Sequence, residues 1–168
     1  KRSDWYLWKS GIKAPTYTNC RYLMGCANST AIVMESLIKS IKKNFPDVQL
    51  IIGIESAGIH WSSIVAQEMS LPTAFVRKQA KKHGVDNGLF VGSPKKNDGI
   101  KAVIIDDLVA SGASLEKSIL EIQSFGGLEL IGIQSIVNWE FSSSRQRFDR
   151  LNIPVRALVG YRSLLNRA

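Results

Sequence analysis

Apolar positions along the chain follow two alternating patterns, stretches with helical spacing and short continuous runs. The helical spacing predicts helices over residues 28–45, 58–69, 114–125 and 141–151. The short apolar runs, bounded by turn residues, predict strands over residues 48–54, 73–76, 101–105, 128–137 and 154–159. Because the two kinds of element alternate, the sequence predicts an α/β domain with a mainly parallel sheet flanked by helices.

The segment 78–99 interrupts this alternation. It carries many charges, a short apolar patch at residues 89–91, and a set of turn-forming residues, namely Gly84, Gly88, Gly92, Pro94 and Gly99. A loop of this length inside a compact domain is usually functional or disordered. The apolar patch leaves two interpretations open, a flexible excursion or a loosely paired hairpin.

Composition excludes several classes of protein. The chain has 168 residues, 45% of them hydrophobic and 21% charged, which is typical of a folded globular domain. No apolar run approaches the roughly 18 residues of a membrane span, and residues 1–8 are too polar for a secretory signal. Two cysteines, Cys20 and Cys26, form no disulfide framework. We therefore expect a cytoplasmic protein that spans no membrane and whose natural N-terminus was trimmed or lost.

The charge balance points to an anionic partner. Lys and Arg number 22 against 14 Asp and Glu, a net charge of +8, which suits nucleic acid, acidic lipid or a phosphorylated small molecule. One basic cluster comprises Arg77, Lys78, Lys81 and Lys82, and a second comprises Arg145, Arg147 and Arg150. We interpret the second cluster as a solvated helix face, whereas the first lies in the glycine-rich segment and requires a functional explanation.

Residues 102–114 carry the strongest chemical signal. A buried strand leads into Asp106 and Asp107, and a short loop of small residues then opens the next helix. Small side chains let backbone N–H groups approach an anion, and the helix N-terminus adds partial positive charge. The two carboxylates can accept hydrogen bonds from sugar hydroxyls or from waters around Mg²⁺. The segment therefore predicts a phosphate cradle beside a ribose-binding pair, and the alternative, a single helix-capping Asp, accounts for only one of the two acids.

This segment resembles the phosphoribosyl-pyrophosphate (PRPP) motif of type I phosphoribosyltransferases, in which a hydrophobic strand is followed by two acids and a Thr/Ser/Gly-rich loop. Residues 7–15, 54–59 and 75–84 resemble, in family order, further segments of orotate phosphoribosyltransferases. The last of them has the Arg-Lys-x-x-Lys-x-His-Gly pattern of that family's mobile catalytic loop. The resemblance spans nearly the whole chain and implies the type I phosphoribosyltransferase fold.

The resemblance also implies an organisation and an activity. Residues 1–168 would form a single domain, with a hood of residues 1–27 and an α/β core of residues 28–168 that carries a mobile loop at 78–100. The implied reaction transfers phosphoribosyl from PRPP to orotate, giving orotidine 5′-monophosphate and pyrophosphate. Mg²⁺ is the implied cofactor, held through PRPP and water near the two acids. The implied assembly is a homodimer whose mobile loop completes the neighbouring site, and nucleic acid is not expected as a partner.

Carried over residue by residue, the resemblance implies three overlapping sets of site residues. The catalytic set is Lys81, His83, Asp106 and Asp107. The PRPP-binding set is Lys9, Ser56, Ala57, Arg77, Lys78, Lys81, His83, Asp106, Asp107, Leu108, Val109, Ala110, Ser111, Gly112, Ala113 and Ser114. The base-binding set is Tyr17, Thr18, Ala110 and Trp139.

Two positions of the implied base pocket depart from the family pattern. Ala110 stands where the loop usually has Thr, and Asn138-Trp139 stands where an Asp-Arg pair usually follows the fifth strand. Trp139 is expected to stack on a flat ring in place of the missing cation. The alternatives are therefore a transferase for another nucleobase and a PRPP-binding regulator without turnover. A regulator has little use for the basic residues of segment 75–84, so the sequence favours the enzyme.

Overall fold

The computed structural model describes residues 5–7, 11, 13–14, 16–79, 89–92 and 99–166. A 3₁₀ helix (Cys20–Gly25) precedes the α-helices, which are α1 (Ala27–Asn44), α2 (Ala57–Met69), α3 (Ala113–Phe125), α4 (Ser142–Arg150) and α5 (Tyr161–Leu165). The strands are β1 (Tyr6–Leu7), β2 (Lys13–Ala14), β3 (Leu50–Ile54), β4 (Thr73–Val76), β5 (Phe90–Val91), β6 (Ile100–Val109), β7 (Leu128–Asn138) and β8 (Val155–Gly160).

In the described part of the chain, six strands form one sheet in the order β5-β4-β3-β6-β7-β8. Its neighbouring strands are parallel, except that β5 pairs antiparallel with β4. Strands β1 and β2 form a separate small antiparallel sheet near the N-terminus. These observations confirm the predicted α/β class, the mainly parallel sheet and the small N-terminal element.

Both faces of the sheet are covered by helices, which explains the continuous apolar runs. Along β6, Ala102 and Ile104 face the cluster that α3 and α4 complete, and Val103 and Ile105 face the cluster formed with α1 and α2. All four side chains are fully buried. Because successive residues of a strand point to opposite faces, a strand buried on both sides shows no polar alternation.

Strand β6 is longer than the sequence predicts. The apolar run ends at Ile105, whereas the strand continues to Val109, so Asp106 and Asp107 lie within it. Strand β7 runs alongside this extension, and Asp106 is opposite Ser135 in the register. Asp is uncommon in strands, so the sequence alone does not predict strand structure at these two acids. The backbone hydrogen bonds to β7 extend the strand through them.

The apolar patch of the glycine-rich segment forms a short edge strand. Phe90 pairs with Val76, which makes the patch one arm of an antiparallel pair. This pairing favours the hairpin over the flexible excursion for residues 90–91, while residues 80–88 and 93–98 lie outside the described residues. No helix among the residues described is long and apolar enough to cross a membrane.

Candidate active site

Charged and aromatic candidate site residues lie at the carboxyl ends of the parallel strands. Glu55 follows β3, Arg77 follows β4, the Asp106–Asp107 pair lies near the carboxyl end of β6, and Trp139 follows β7. Parallel neighbours place all of these ends along one edge of the sheet, which is where open α/β sheets bind their ligands. The structure therefore assembles on one edge several residues that lie far apart in the sequence.

The two acids of β6 form an electrostatically coupled pair. The Asp107 N–H donates to Asp106 Oδ1 over 2.9 Å. Burial raises the pKa of Asp106 well above its ordinary value of 3.8, and the adjacent charge of Asp107 raises it further, whereas the Asp107 N–H and the positive charge of Lys78 oppose the rise. Such a carboxyl is costly to keep in a fold, and strongly shifted acids of this kind concentrate at functional sites.

The loop after β6 is built for a close approach to an anion. Residues 110–112, here called the small-residue loop, connect β6 to the first turn of α3, where Ala113 and Ser114 lie exposed. Gly112 adopts a left-handed conformation with φ of 75°, which favours glycine. The N-terminus of the 13-residue helix α3 adds partial positive charge at the same point. The loop and the helix thus have the backbone geometry that a phosphate cradle requires, and phosphate binding here stays a prediction.

Gly112 is also required by packing. A Cβ atom at this position would lie 2.8 Å from the ring of Phe148 on α4. The glycine thus lets α4 pack directly beneath the small-residue loop, a role that the local sequence pattern does not indicate. A side chain at residue 112 would therefore disturb α4 as well as the small-residue loop.

Arg147 on α4 braces the small-residue loop. Its Nε donates to the carbonyl oxygen of Ser111 over 3.3 Å, and its Nη1 forms an ion pair with Glu116 in the first turn of α3. About a quarter of each charged side chain is exposed (24% and 25%), so the pair is partly shielded from solvent. The prediction that Arg147 belongs to a solvated face is therefore wrong, whereas Arg145 and Arg150 on the same helix are exposed.

The loop between β3 and α2 (residues 55–56, the β3–α2 loop) approaches the acids closely. A Cβ atom on Gly58, in the first turn of α2, would lie 2.6 Å from the Ile105 carbonyl oxygen and 3.5 Å from Asp106 Oδ1. The absence of a side chain at Gly58 therefore brings the start of α2 against β6. This contact brings the start of α2, which Ser56 and Ala57 lead into, against Asp106. The role of Ser56 and Ala57 towards PRPP stays a prediction.

Arg77 and Lys78, the first residues of the basic cluster, are each held by a hydrogen bond from their backbone N–H. The Arg77 N–H donates to the Leu89 carbonyl oxygen over 2.8 Å, and its guanidinium lies 5.7 Å from the centre of the Phe75 ring. The Lys78 N–H donates to Glu55 Oε2 over 2.6 Å. Arg77 and Lys78 thus lie at this edge of the sheet, while Lys9, Lys81 and His83 lie outside the described residues.

The N-terminal region is connected to the site by two contacts. Arg21 Nη2 donates to Ser56 Oγ over 3.3 Å, and the Cys20 thiol donates to the Asp107 carbonyl oxygen over 3.7 Å. Burial, followed by the charges of Asp107 and Asp106, raises the pKa of Cys20 to about 12, so it stays a thiol. Neither contact follows from sequence spacing, because each joins residues more than thirty positions apart.

The predicted base-binding residues are placed unequally. Tyr17 is exposed, and its ring lies 5.9 Å from that of Tyr6. Thr18 is half-buried and borders an apolar cavity of about 510 Å³ beside Leu23 and Val33. The two residues thus lie in the N-terminal region, and their role towards a base stays a prediction.

Trp139 is a packing residue. It is only 4% exposed, stacks on Tyr161 with ring centres 4.1 Å apart, and packs in one cluster with Ala14 and Ala110. Tyr161 thus occupies one face of the indole, and little of the side chain remains open to a ligand. In this structure the residue ties β2 to the end of β7, and its role towards a base stays a prediction.

Comparison with known proteins agrees with this geometry. A model of the phosphoribosyl transferase domain matches residues 27–149. The chain is 34% identical over 160 residues to the orotate phosphoribosyltransferase of Streptococcus agalactiae, covering 95% of this chain and 75% of that protein. It is 33% identical over 169 residues to the orotate phosphoribosyltransferase of Fusobacterium nucleatum, covering 99% and 77%.

Solved structures show the same architecture. The crystal structure of orotate phosphoribosyltransferase from Aeropyrum pernix superposes with a TM-score of 0.83 at 22% identity, covering 96% of this chain and 88% of that one. The domain match and the near-full-length similarity make the class of the protein plain. The chain belongs to the phosphoribosyltransferase family.

Proposed function

We propose that this chain transfers the phosphoribosyl group of PRPP to orotate, which yields orotidine 5′-monophosphate and pyrophosphate. The observation that carries the proposal is the junction of β6 and α3, where the coupled pair Asp106–Asp107 lies next to the small-residue loop. The orotate phosphoribosyltransferases that resemble it over nearly its whole length support orotate as the base.

The substrate would be held at two places, the hydroxyls of its ribose and its 5′-phosphate. In the reaction, the bond between ribose C1 and the pyrophosphate oxygen breaks and a bond from C1 to a ring nitrogen of the base forms, while the proton of that nitrogen leaves to pyrophosphate or to solvent. Asp106 and Asp107 accept hydrogen bonds from the ribose hydroxyls, and the small-residue loop with the N-terminus of α3 holds the 5′-phosphate. Holding the sugar this way leaves C1 directed to the leaving group and the base.

Positive charge on the other side of the site would stabilise the leaving group. Negative charge builds up on pyrophosphate as the ribose becomes cationic, so preorganised cations lower the barrier. Arg77 and Lys78 lie at this edge of the sheet, and we assign Lys81 and His83 to the same task. Ser56 and Ala57 hold the pyrophosphate of bound PRPP.

Mg²⁺ would bind together with PRPP rather than in a protein cage. Among the residues that the structure describes, no three His, Cys, Asp or Glu side chains cluster closely enough to hold a metal ion. Two neighbouring carboxylates, Asp106 and Asp107, nevertheless fit an ion that keeps part of its water shell, as Mg²⁺ does. When bound, Mg²⁺ neutralises phosphate charge, and Asp106 and Asp107 orient its water ligands.

Turnover with a panel of bases tests the function. Purified protein is incubated with PRPP, Mg²⁺ and orotate, uracil or adenine, and pyrophosphate release is followed. The proposal expects release with orotate far above that with the other two bases. Preference for another base would overturn orotate as the substrate, and PRPP binding without any turnover would favour the regulator.

The assembly proposed is a homodimer in which residues 78–100 complete the neighbouring site, and the proposed compartment is the cytoplasm. The free thiols Cys20 and Cys26 fit a reducing compartment. Mixing an inactive Lys81→Ala protein with an inactive Asp107→Asn protein should restore activity, because a mixed dimer contains one intact site. Mixtures that stay inactive while subunits exchange would refute the shared site.

The brace by Arg147 predicts a linked loss of stability and substrate affinity. Replacing Arg147 by Ala should lower the free energy of unfolding by about 1 to 2 kcal/mol, because Glu116 and the Ser111 carbonyl lose a partly buried charged partner. KM for PRPP should rise several-fold, because the small-residue loop loses its support. Urea unfolding and steady-state kinetics measure the two effects.

Arg150 provides the matched control on the same helix. It is exposed, so Arg150→Ala should change stability by no more than about 0.5 kcal/mol and leave KM for PRPP unchanged. Equal effects of the two substitutions would show that the brace contributes nothing beyond general surface charge.

A further inference from the structure

Glu55 places a carboxylate where the proposed function needs to bind an anion. It follows β3 directly and precedes Ser56 and Ala57, which we assign to pyrophosphate. A carboxylate at such a position repels a polyanion unless another group engages it. Its side chain is half-buried rather than directed wholly into solvent, so its contacts indicate what it does.

The carboxylate of Glu55 accepts a hydrogen bond from the backbone of Lys78, in the basic cluster. The Lys78 N–H donates to Glu55 Oε2 over 2.6 Å, which is short for a hydrogen bond from a neutral amide to a carboxylate. The Glu55 N–H in turn donates to the Val76 carbonyl oxygen over 3.0 Å. Glu55 thus contacts the end of β4 with both its backbone and its side chain.

Together with β5, these contacts fix the path of the chain leaving β4. The Arg77 N–H donates to the Leu89 carbonyl oxygen on the β5 side, while Lys78, the next residue, is held by Glu55 on the β3 side. Two successive residues are therefore anchored to opposite neighbours. Such two-sided anchoring limits the directions in which the side chain of Lys78 can extend.

The charge of the Lys78 side chain reaches Asp106. Its positive charge lowers the pKa of Asp106 against the larger effects of burial and of Asp107. Lys78 therefore lies within electrostatic reach of Asp106, one of the two carboxylates that we assign to the ribose. A shift of its backbone would move this charge relative to both the acids and the β3–α2 loop.

We propose that Glu55 is a positioning residue that anchors the Lys78 backbone, so that the Lys78 ammonium stays beside the leaving pyrophosphate. The inference rests on the proposed function, because it specifies how one cation of that site is held.

A double-mutant cycle tests the coupling. Glu55→Ala should lower kcat/KM for PRPP by about tenfold, mainly through kcat, because the cation acts on charge that develops in the transition state. In a Lys78→Ala background the same substitution should change kcat/KM by less than about twofold, because the group that Glu55 positions is gone. Glu55→Gln, which keeps an oxygen acceptor, should retain most of the activity.

Glu68 offers a matched control, since it is an exposed glutamate on the adjacent helix α2, and Glu68→Ala should leave kcat/KM unchanged. Full activity in Glu55→Ala, or additive effects with Lys78→Ala, would overturn the proposal. An altered Mg²⁺ requirement in Glu55→Ala would also overturn it, because the carboxylate would then act on the metal.

Hydrogen exchange separates this inference from the proposed function. The Lys78 amide should exchange faster in Glu55→Ala than in the wild type, and Glu55→Gln should restore part of the protection. This readout needs no turnover, so it tests the anchor even if the wild type fails to use orotate. An unchanged exchange rate in Glu55→Ala would refute the anchor while leaving the proposed activity intact.

Discussion

Replacing Asp106 by Asn is expected to lower kcat/KM for PRPP by about 100-fold or more. Hydrogen bonds to a charged acceptor contribute about 1.5 to 3 kcal/mol each, and the ribose hydroxyls would lose such an acceptor at the reacting sugar. The amide oxygen of Asn can still accept from the Asp107 N–H, as Asp106 Oδ1 does over 2.9 Å. The local backbone should therefore persist, and steady-state kinetics will report the loss of charge.

The same substitution is expected to stabilise the protein at neutral pH. Burial and the charge of Asp107 raise the pKa of Asp106 in the folded state, so the folded protein binds its proton more tightly than the unfolded chain. Stability therefore falls as the pH rises past the unfolded-state pKa, and the loss is complete above the folded-state pKa. Asn carries no such penalty.

The difference between Asp106→Asn and wild type should vanish near about pH 3 and grow towards about pH 8. At the higher pH the melting temperature should rise by at least about 2 °C, the effect of 1 kcal/mol in a domain of this size. Asp47→Asn is the control, because Asp47 forms an exposed ion pair with Lys101, worth no more than about 1 kcal/mol. Unchanged kcat/KM in Asp106→Asn would refute the ribose role, and a lower melting temperature would refute the cost of burial.

Replacing Gly53 by Ala is expected to lower the free energy of unfolding by about 2 to 3 kcal/mol, the scale of overpacking a rigid core. A Cβ atom there would lie 2.3 Å from Ser62 Oγ, 2.8 Å from the Gly58 carbonyl oxygen and 2.9 Å from Ile59 Cα. Two of these neighbours are backbone atoms of α2, so the helix must move away from β3. The β3–α2 loop would move with it, and PRPP affinity should fall.

Urea unfolding and calorimetric titration with PRPP measure both consequences. Gly25→Ala is the control, because a Cβ atom at Gly25 would meet nothing within 4 Å, and its effect should stay within about 0.5 kcal/mol. A Gly53→Ala protein as stable as the control would mean that α2 adjusts without cost. Normal stability with weakened PRPP binding would instead mean that the strain is confined to the loop.

Much of the site could be predicted because its signal is local. The apolar run before Asp106 and Asp107, and the small residues after them, occupy one continuous stretch of chain. Strand, loop and helix N-terminus follow from such a stretch without knowledge of distant residues. The extension of β6 to Val109 could not be predicted in this way, because it depends on β7 pairing alongside.

The charged contacts around the site could not be predicted, because the residues that form them are distant in the sequence. Arg147 meets Glu116 across 31 positions, and the Lys78 amide meets Glu55 across 23. In a sequence, a charged residue far from any motif is interpreted as solvent-exposed, because the partner that the fold brings to it is not visible. The packing of Trp139 against Tyr161 was not predicted for a related reason, since an aromatic residue at a strand end fits a ligand platform as well as a packed cluster.

The order of helices and strands, and the chemistry expected after β6, are already contained in the chain, because hydrophobic period and loop composition are properties of neighbouring residues. Which basic and aromatic residues lie in the site, support a loop or pack in the core is decided only by the tertiary structure. Arg147 became a brace only because α4 packs on Gly112, and Trp139 became core only because Tyr161 covers it. Burial and charge pairing depend on which distant segments meet, and that is settled only when the helices pack on the sheet.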